Sequence, residues 1–306
     1  MEKRLKKKGT LDLNMMEASP AVFRNRLYRL EYVHDFYHGN LSGEPYFRCV
    51  EVETGVITPP FGHGFAFGSL FVMNDRAYMT CVRSPVGTET WSSDTIYLLT
   101  SDDLIHWSEP AAILHDPRWC AFNTSICQAD DRYLMVFELN KPEELVGVPF
   151  TMFFAESTDL VHWRVIDGAC FGKEFYTGAP LLRYHGGFAY FFYLHRDDTR
   201  EIWETWVVRS RDLKQWDFAP GNPVLTPDAA DKVCASGVKF RPEVFKERIA
   251  EGCDINNSDI DMCEWRGKLY ITYSWGNQYY KDNLAWAEFD GTEREFCESF
   301  WKNSGK

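Results

Sequence analysis

The chain has 306 residues, 45% of them apolar, enough for one large all-β domain or two ordinary domains around a substantial core. A formal net charge of −12 argues against nucleic acid or another polyanion as the main partner and fits neutral or weakly charged ligands. Aromatics at 16%, with 11 tryptophans, exceed the usual share; they suit a β core and also offer flat faces for stacking.

The first residues, MEKRLKKKG, are basic, and the following TLDLNMMEAS is polar and acidic. No apolar run there is long enough for a signal-peptide core or a membrane span, so the expectation is a cytoplasmic protein with a flexible extension over residues 1–20. Nine cysteines lie scattered without a CxxC pair, which indicates neither a disulfide framework nor a zinc ribbon.

Residues 21–306 read as a single domain built from an internal repeat. Residues 21–60 hold β-patterned runs (RLYRLEYV, then PYFRCVEVETGVI). Next come FAFGSLFVMNDRAYMTCVR, CAFNTSICQADDRYLMVFE and YTGAPLLRYHGGFAYFFYLH, each a strand, a tight turn and an aromatic strand. A second hairpin follows each, with the turns SDDLIHW, STDLVHW and SRDLKQW; their Trp107, Trp163 and Trp216 are 56 and 53 residues apart. In these turns the Asp should cap backbone N–H groups and the Trp should pack between neighbouring units. A segment at 228–255 containing RPEVFKERIAE reads as a helical insertion. The last hairpin, NNSDIDMCEWRGKLYITYSWGN, carries Asp259 and Asp261 on one face of its first strand.

Four strands per roughly 50 residues, repeated radially, is the pattern of an all-β, five-bladed β-propeller. Strand starts and the ends of second strands then share one end of the molecule with the long loops, and the site is expected there. Counting five past Tyr78, Tyr133, Tyr190 and Tyr270 gives Arg83, Glu138, His195 and Trp275; counting eleven back gives Phe67, Phe122, Ala179 and Asp259. Other polar groups expected at that end are His34, Asp35, His38, Asn40, His63, Trp91, Asp94, Arg118, Trp119, Asn123, Glu174, Asn257, Asn277 and Gln278.

The repeated turn and the Gly-x-x-Tyr hairpins over about residues 60–290 resemble the five-bladed propeller glycosidases, glycoside hydrolase family 43 and its relatives in families 32, 62 and 117. The resemblance implies hydrolysis of a glycosidic bond by two carboxyl groups. The family's Glu-Gly-Pro acid segment is matched by Thr177-Gly178-Ala179-Pro180, which lacks the acid. Its Asp-Pro is matched by Ala121-Phe122-Asn123, and Asp259 lies in the last unit where the family has its base in the first. Asp259 is therefore the expected base or stabiliser, with Glu138, Glu174 or a histidine (His38, His63 or His195) as acid.

The leading expectation is a glycoside hydrolase acting on a short oligosaccharide in a central funnel. Its sugar contacts would be Asp35, His38, Arg83, Asp94, Asn123, His195, Asn257 and Asn277 with the indoles of Trp91, Trp119 and Trp275. The alternative class is a non-catalytic carbohydrate-binding or sensing propeller. No EF-hand or zinc pattern occurs, so no metal is required, although a shaft of this kind has room for a cation. The partner is a small carbohydrate, with no nucleic acid or membrane, and the sequence leaves the oligomeric state open.

Overall fold

The computed structural model describes residues 5–84, 93–148, 150–236, 238, 243–278 and 281–302. After β1 (Leu5–Leu13), the strands β2 (Met16–Phe23), β3 (Arg26–Val33) and β4 (Tyr46–Glu51) form an antiparallel sheet. A second sheet holds β5 (Phe65–Met73), β6 (Arg76–Arg83), β7 (Thr95–Ser101) and β8 (Ala111–His115). A third holds β9 (Cys120–Ala129), β10 (Arg132–Lys141), β11 (Thr151–Ser157) and β12 (Arg164–Phe171). Then come β13 (Leu181–His185), β14 (Phe188–Asp197), β15 (Ile202–Ser210) and β16 (Asp217–Phe218). Helix α1 (Glu243–Glu251) falls inside the segment read as a helical insertion. It precedes β17 (Asn256–Trp265), β18 (Lys268–Gly276), β19 (Asp282–Phe289) and α2 (Glu293–Ser299). A single parallel bridge, Trp203 to Asn256, joins β15 to β17, so the last two four-stranded groups are hydrogen-bonded into one sheet.

Residues 5–20 are not a flexible extension. β1 pairs with β19 from Leu5↔Phe289 to Leu13↔Asn283 and completes the last group, while β2 starts the first. The basic run reads as a solvated tail, yet the Lys7 ammonium is drawn inward: it donates to Asp231 (2.6 Å), Asn257 Oδ1 (2.7 Å) and the Thr226 carbonyl (2.7 Å). A lysine paired and hydrogen-bonded in this way can be buried.

The innermost hairpins turn tightly because their central residues adopt positive φ: Arg24-Asn25, Asn74-Asp75, Gly186-Gly187 and Arg266-Gly267. The Ser-x-Asp-Leu turns behave as expected. Ser101 Oγ accepts from the Leu104 N–H, and Asp103 Oδ1 accepts from the Ile105 and His106 N–H groups, a pattern repeated at Ser157 with Asp159 and at Ser210 with Asp212. Trp107 stacks on Phe61, ring centroids 4.3 Å apart, and Phe61 bridges to Phe47 of the first sheet, so this indole does pack between neighbouring sheets. The first strands contact one another in a closed circuit, β2 on β5, β5 on β9, β9 on β13, β13 on β17 and β17 on β2. Among the described residues no helix is long and apolar enough to cross a membrane.

Candidate active site

The circuit of first strands fixes which side chains reach its axis. Each innermost hairpin closes on a pair at its turn: Phe23↔Arg26, Met73↔Arg76, Ala129↔Arg132, His185↔Phe188 and Trp265↔Lys268. Six residues before the first member of each pair stand Glu17, Phe67, Asn123, Ala179 and Asp259. The pairing register slips beside Glu17, Phe67 and Asp259, and Glu17, Phe67, Ala179 and Asp259 have φ of 55°, 56°, 50° and 51°. Such bulged, left-handed positions break the alternation of the strand and re-aim the side chain. Glu17, Asn123, Ala179 and Asp259 together line a cavity of about 40 Å³, large enough for water and too small for a sugar ring.

Six residues past the second member of each pair stand Tyr32, Val82, Glu138, Leu194 and Ser274; one further on are Val33, Arg83, Leu139, His195 and Trp275. Adjacent strand residues face opposite sides, so only the former set can share the axial face. Glu138 indeed accepts from Asn123 Nδ2 at 3.2 Å. The Ser258 hydroxyl donates to Asp259 at 2.6 Å, and Ser274 bonds the same carboxylate. Asn256 holds Ser258 in place (2.9 Å) and reaches Asp282 (3.2 Å).

Glu17 and Asp259 line this recess, Glu138 lies against it through Asn123, and their environments separate the three carboxyl groups. Burial pushes Glu138 up to about 8, opposed by the Asn123 hydrogen bond and reinforced by the charge of Asp259. Burial also raises Asp259, but the hydroxyls of Ser258 and Ser274 favour its ionised form and hold it at about 6, with Asp282 pushing upward. Glu17 is raised well above the usual carboxylate range by burial and then by Asp259, Glu138 and Asp282, and its Oε2 is buried with no hydrogen-bond partner. At neutral pH the recess holds an ionised Asp259 beside a protonated Glu138.

Around this recess runs a continuous series of ring contacts. Tyr32 meets Phe67 at 5.9 Å, Phe67 meets Phe122 at 5.7 Å, Phe122 meets Phe150 at 5.0 Å, Phe150 meets Tyr176 at 5.5 Å and Tyr176 meets Trp203 at 4.7 Å. The phenol of Tyr176 is pushed up by burial and by the charges of Glu138 and Asp259, which places it beside both. Aromatic rings beside clustered acids can stack a sugar face while carboxyl groups address its bonds.

Of the residues expected at the site, the structure brings together Asp259, Glu138 and Asn123. The others are placed elsewhere. Trp275 is fully buried and donates to Thr10 Oγ1 (2.8 Å), because its position faces the core side of β18. For the same reason Arg83 lies over the Phe65 and Tyr97 rings, and His195 packs on Trp206 at 4.0 Å. Asn257 is buried with Lys7 and Asp231. Trp119 packs on Phe137, Asp94 bonds the Thr95 hydroxyl, Asp35 caps the Phe36 N–H, and His38 and His63 are exposed beside Tyr37 and Tyr46. Glu174 is exposed, and Asn277 borders a separate cavity. Trp91 lies outside the described residues.

Sequence reasoning passed over Glu17, Tyr32, Tyr176, Trp203 and Asp282. The signal for Glu17 was present: eleven residues before Tyr28 stands the same position that yields Asp259 from Tyr270. In β10 the tyrosine sits one residue after its closing arginine and in the others two after, so the tyrosine count gave Phe122 where the sheet places Asn123. Among the described residues no group of three or more His, Cys, Asp or Glu side chains is arranged to hold a metal ion.

No protein-family model matches the chain, and no curated protein sequence matches it. Solved structures do. A xylan β-1,4-xylosidase from Bacillus halodurans C-125 matches 95% of this chain and 55% of its own at 13% identity, with a TM-score of 0.62. An exo-1,5-α-L-arabinanase from a bovine ruminal metagenomic library matches 92% and 94% at 11% identity, TM-score 0.58, and another glycoside hydrolase matches 94% of each chain at 13% identity, TM-score 0.58. The chain thus shares the propeller-type fold of solved glycoside hydrolases.

Proposed function

We propose that the chain is a five-bladed β-propeller glycoside hydrolase acting on a short, neutral oligosaccharide or glycoside. A sugar ring lies under the aromatic arc with its anomeric carbon over the recess. Glu138, protonated at neutral pH, gives its proton to the leaving glycosidic oxygen. Asp259, ionised, takes the base or nucleophile role toward the anomeric carbon, and water is added across the broken bond. Glu17 lines the same recess, and burial together with its negative neighbours keeps it protonated, able to donate a hydrogen bond to a sugar hydroxyl. The xylosidase and arabinanase likeness supports a carbohydrate substrate through the fold alone.

The observation that carries this reading is the pairing of Asp259 near 6 with Glu138 near 8 in one recess, since acid and base roles follow from environments that drive two carboxyl groups apart. A panel of 4-nitrophenyl glycosides and disaccharides tests it. Wild type is expected to turn over at least one, and Asp259→Asn to lose on the order of 10²–10⁴-fold in kcat, the range for losing an acid–base group. Turnover that survives the substitution removes Asp259 from the mechanism. Binding without turnover in both proteins would replace the hydrolase reading with a carbohydrate-sensing propeller.

A further inference from the structure

Asn256, Gly276 and Asp282 stand abreast on β17, β18 and β19, paired in register across the last group of strands. Cross-strand partners share one face, so the side chains of Asn256 and Asp282 rise on either side of a residue that has none. A Cβ on Gly276 would lie 2.5 Å from Asp282 Oδ1, so only glycine leaves the carboxylate this path to the amide. Asn256 Nδ2 donates to Asp282 Oδ1 at 3.2 Å, across the middle strand. The Gln278 N–H donates to the same oxygen at 3.4 Å; burial raises the Asp282 carboxyl, and these two donors oppose the shift.

The amide is held in an unfavourable orientation. Asn256 is fully buried, and its Oδ1 has no hydrogen-bond partner. An acceptor buried without a donor is destabilising, and a half-turn of the amide would exchange its two ends. Asp282 bars that half-turn, since it would set Oδ1 against the carboxylate and strip the carboxylate of a donor. With Nδ2 so fixed, its second hydrogen goes to Ser258 Oγ at 2.9 Å, two residues along the same face. A hydroxyl that accepts there has its own hydrogen left to give, and Ser258 gives it to Asp259 Oδ2 at 2.6 Å.

We propose that Asp282 is a positioning residue for Asp259: it holds the Asn256 amide in the one orientation that keeps the Ser258 hydroxyl donating to the Asp259 carboxylate. Asp282 touches no reacting atom and acts through two intervening side chains. Its bearing on catalysis rests on the hydrolase reading of Asp259, whereas the relay itself is measurable without turnover. Burial raises Asp259; the Ser258 hydrogen bond draws it down, and the Asp282 charge pushes it up by less. Orientation and charge therefore act on Asp259 with opposite signs.

Side-chain carboxyl NMR of Asp259 tests the relay in wild type, Ser258→Ala, Asn256→Ala, Asp282→Ala and Asp282→Asn. One hydrogen bond to a carboxylate is worth about one pH unit, so Ser258→Ala should titrate that far above the wild-type value of about 6. Asn256→Ala, which removes the amide, should rise likewise. Asp282→Ala frees the amide and should also rise, though by less, because the charge is lost with it. Asp282→Asn keeps an oxygen for the amide and loses only the charge, so it should move Asp259 down. Opposite shifts from alanine and asparagine at one position are not the mark of general packing damage. A downward shift or none in Asp282→Ala overturns the relay and leaves Asp282 acting by charge alone. Should that variant fail to fold, Asn256→Ala decides, and no upward shift there overturns it equally. On any glycoside that wild type turns over, the acid limb of kcat should follow these shifts with KM little changed. An active enzyme whose Asp259 stays put in Asp282→Ala and Asn256→Ala keeps the hydrolase and loses the relay; the expected shifts without turnover keep the relay and lose the hydrolase.

Discussion

Glu138→Gln should lower kcat on a glycoside with a poor leaving group by on the order of 10²–10⁴-fold and should erase the alkaline limb of its pH profile. Wild type needs Asp259 ionised and Glu138 protonated, so its activity should rise through about pH 6 and fall through about pH 8. A substrate with an activated leaving group, such as 2,4-dinitrophenolate, needs no proton from the enzyme and should be spared much of the loss. The same substitution should raise stability. A carboxyl whose folded pKa lies above its unfolded value binds its proton more tightly when folded, so its penalty appears as pH climbs out of the usual carboxylate range and is complete above about 8. Glutamine has no such penalty, so Glu138→Gln should melt above wild type, most clearly at pH 8, in a thermal scan. A variant that keeps full activity and its alkaline limb would show that the proton comes from elsewhere.

Arg183→Met should cost about 3–5 kcal/mol of stability, the usual cost of leaving buried partners uncompensated. The Arg183 guanidinium sits at the lower end of the shaft with 14% of its side chain exposed; it donates to Asp261 (2.6 Å), the Met262 carbonyl (2.7 Å), Glu293 (3.0 Å) and the Leu182 carbonyl (2.8 Å). It thereby ties β13 to β17 and to α2, whose Glu293 also bonds His185 (2.8 Å). Asp261 borders both the acid recess and the chamber of about 650 Å³ below it, so this cation sits where the two meet. The Arg183 charge and the His185 contact hold Glu293 below the ordinary carboxylate value against its burial. Its contribution is therefore present at neutral pH and is lost as pH falls through that lowered value. Chemical denaturation of Arg183→Met, and of Arg183→Met combined with Asp261→Asn and Glu293→Gln, separates pairing from packing. The triple variant should recover part of the loss, because no buried charge is then left unpaired. A single variant within 1 kcal/mol of wild type would show that the network holds nothing together.

The repeat was legible because turn chemistry is local: Asn74-Asp75, Gly186-Gly187 and Arg266-Gly267 announce hairpins, and Ser-x-Asp-Leu caps its own backbone. Closure by β1 was not, since a strand that pairs across nearly the whole chain leaves no mark near itself, and its lysines resemble a tail. For the site, the long-range pattern puts Asp259 and Glu138 at one end, and the structure brings the two carboxyls near each other. It failed wherever a shift of one residue decides the face: Arg83, His195 and Trp275 lie next to the axial positions and point away from them. The aromatic arc was beyond reach because Phe150, Tyr176 and Trp203 come from unrelated loops and strands that meet only when the sheets close.

Side-chain carboxyl NMR on protein labelled at Glu and Asp, titrated from pH 3 to pH 10 and assigned with Glu138→Gln and Asp259→Asn, measures the separated pair itself. One resonance moving near pH 8 and lost in Glu138→Gln, and another near pH 6 lost in Asp259→Asn, are the expected result. Both groups titrating in the ordinary carboxylate range, about 3.9 to 4.3, would contradict it, since neither would then be a proton donor at neutral pH.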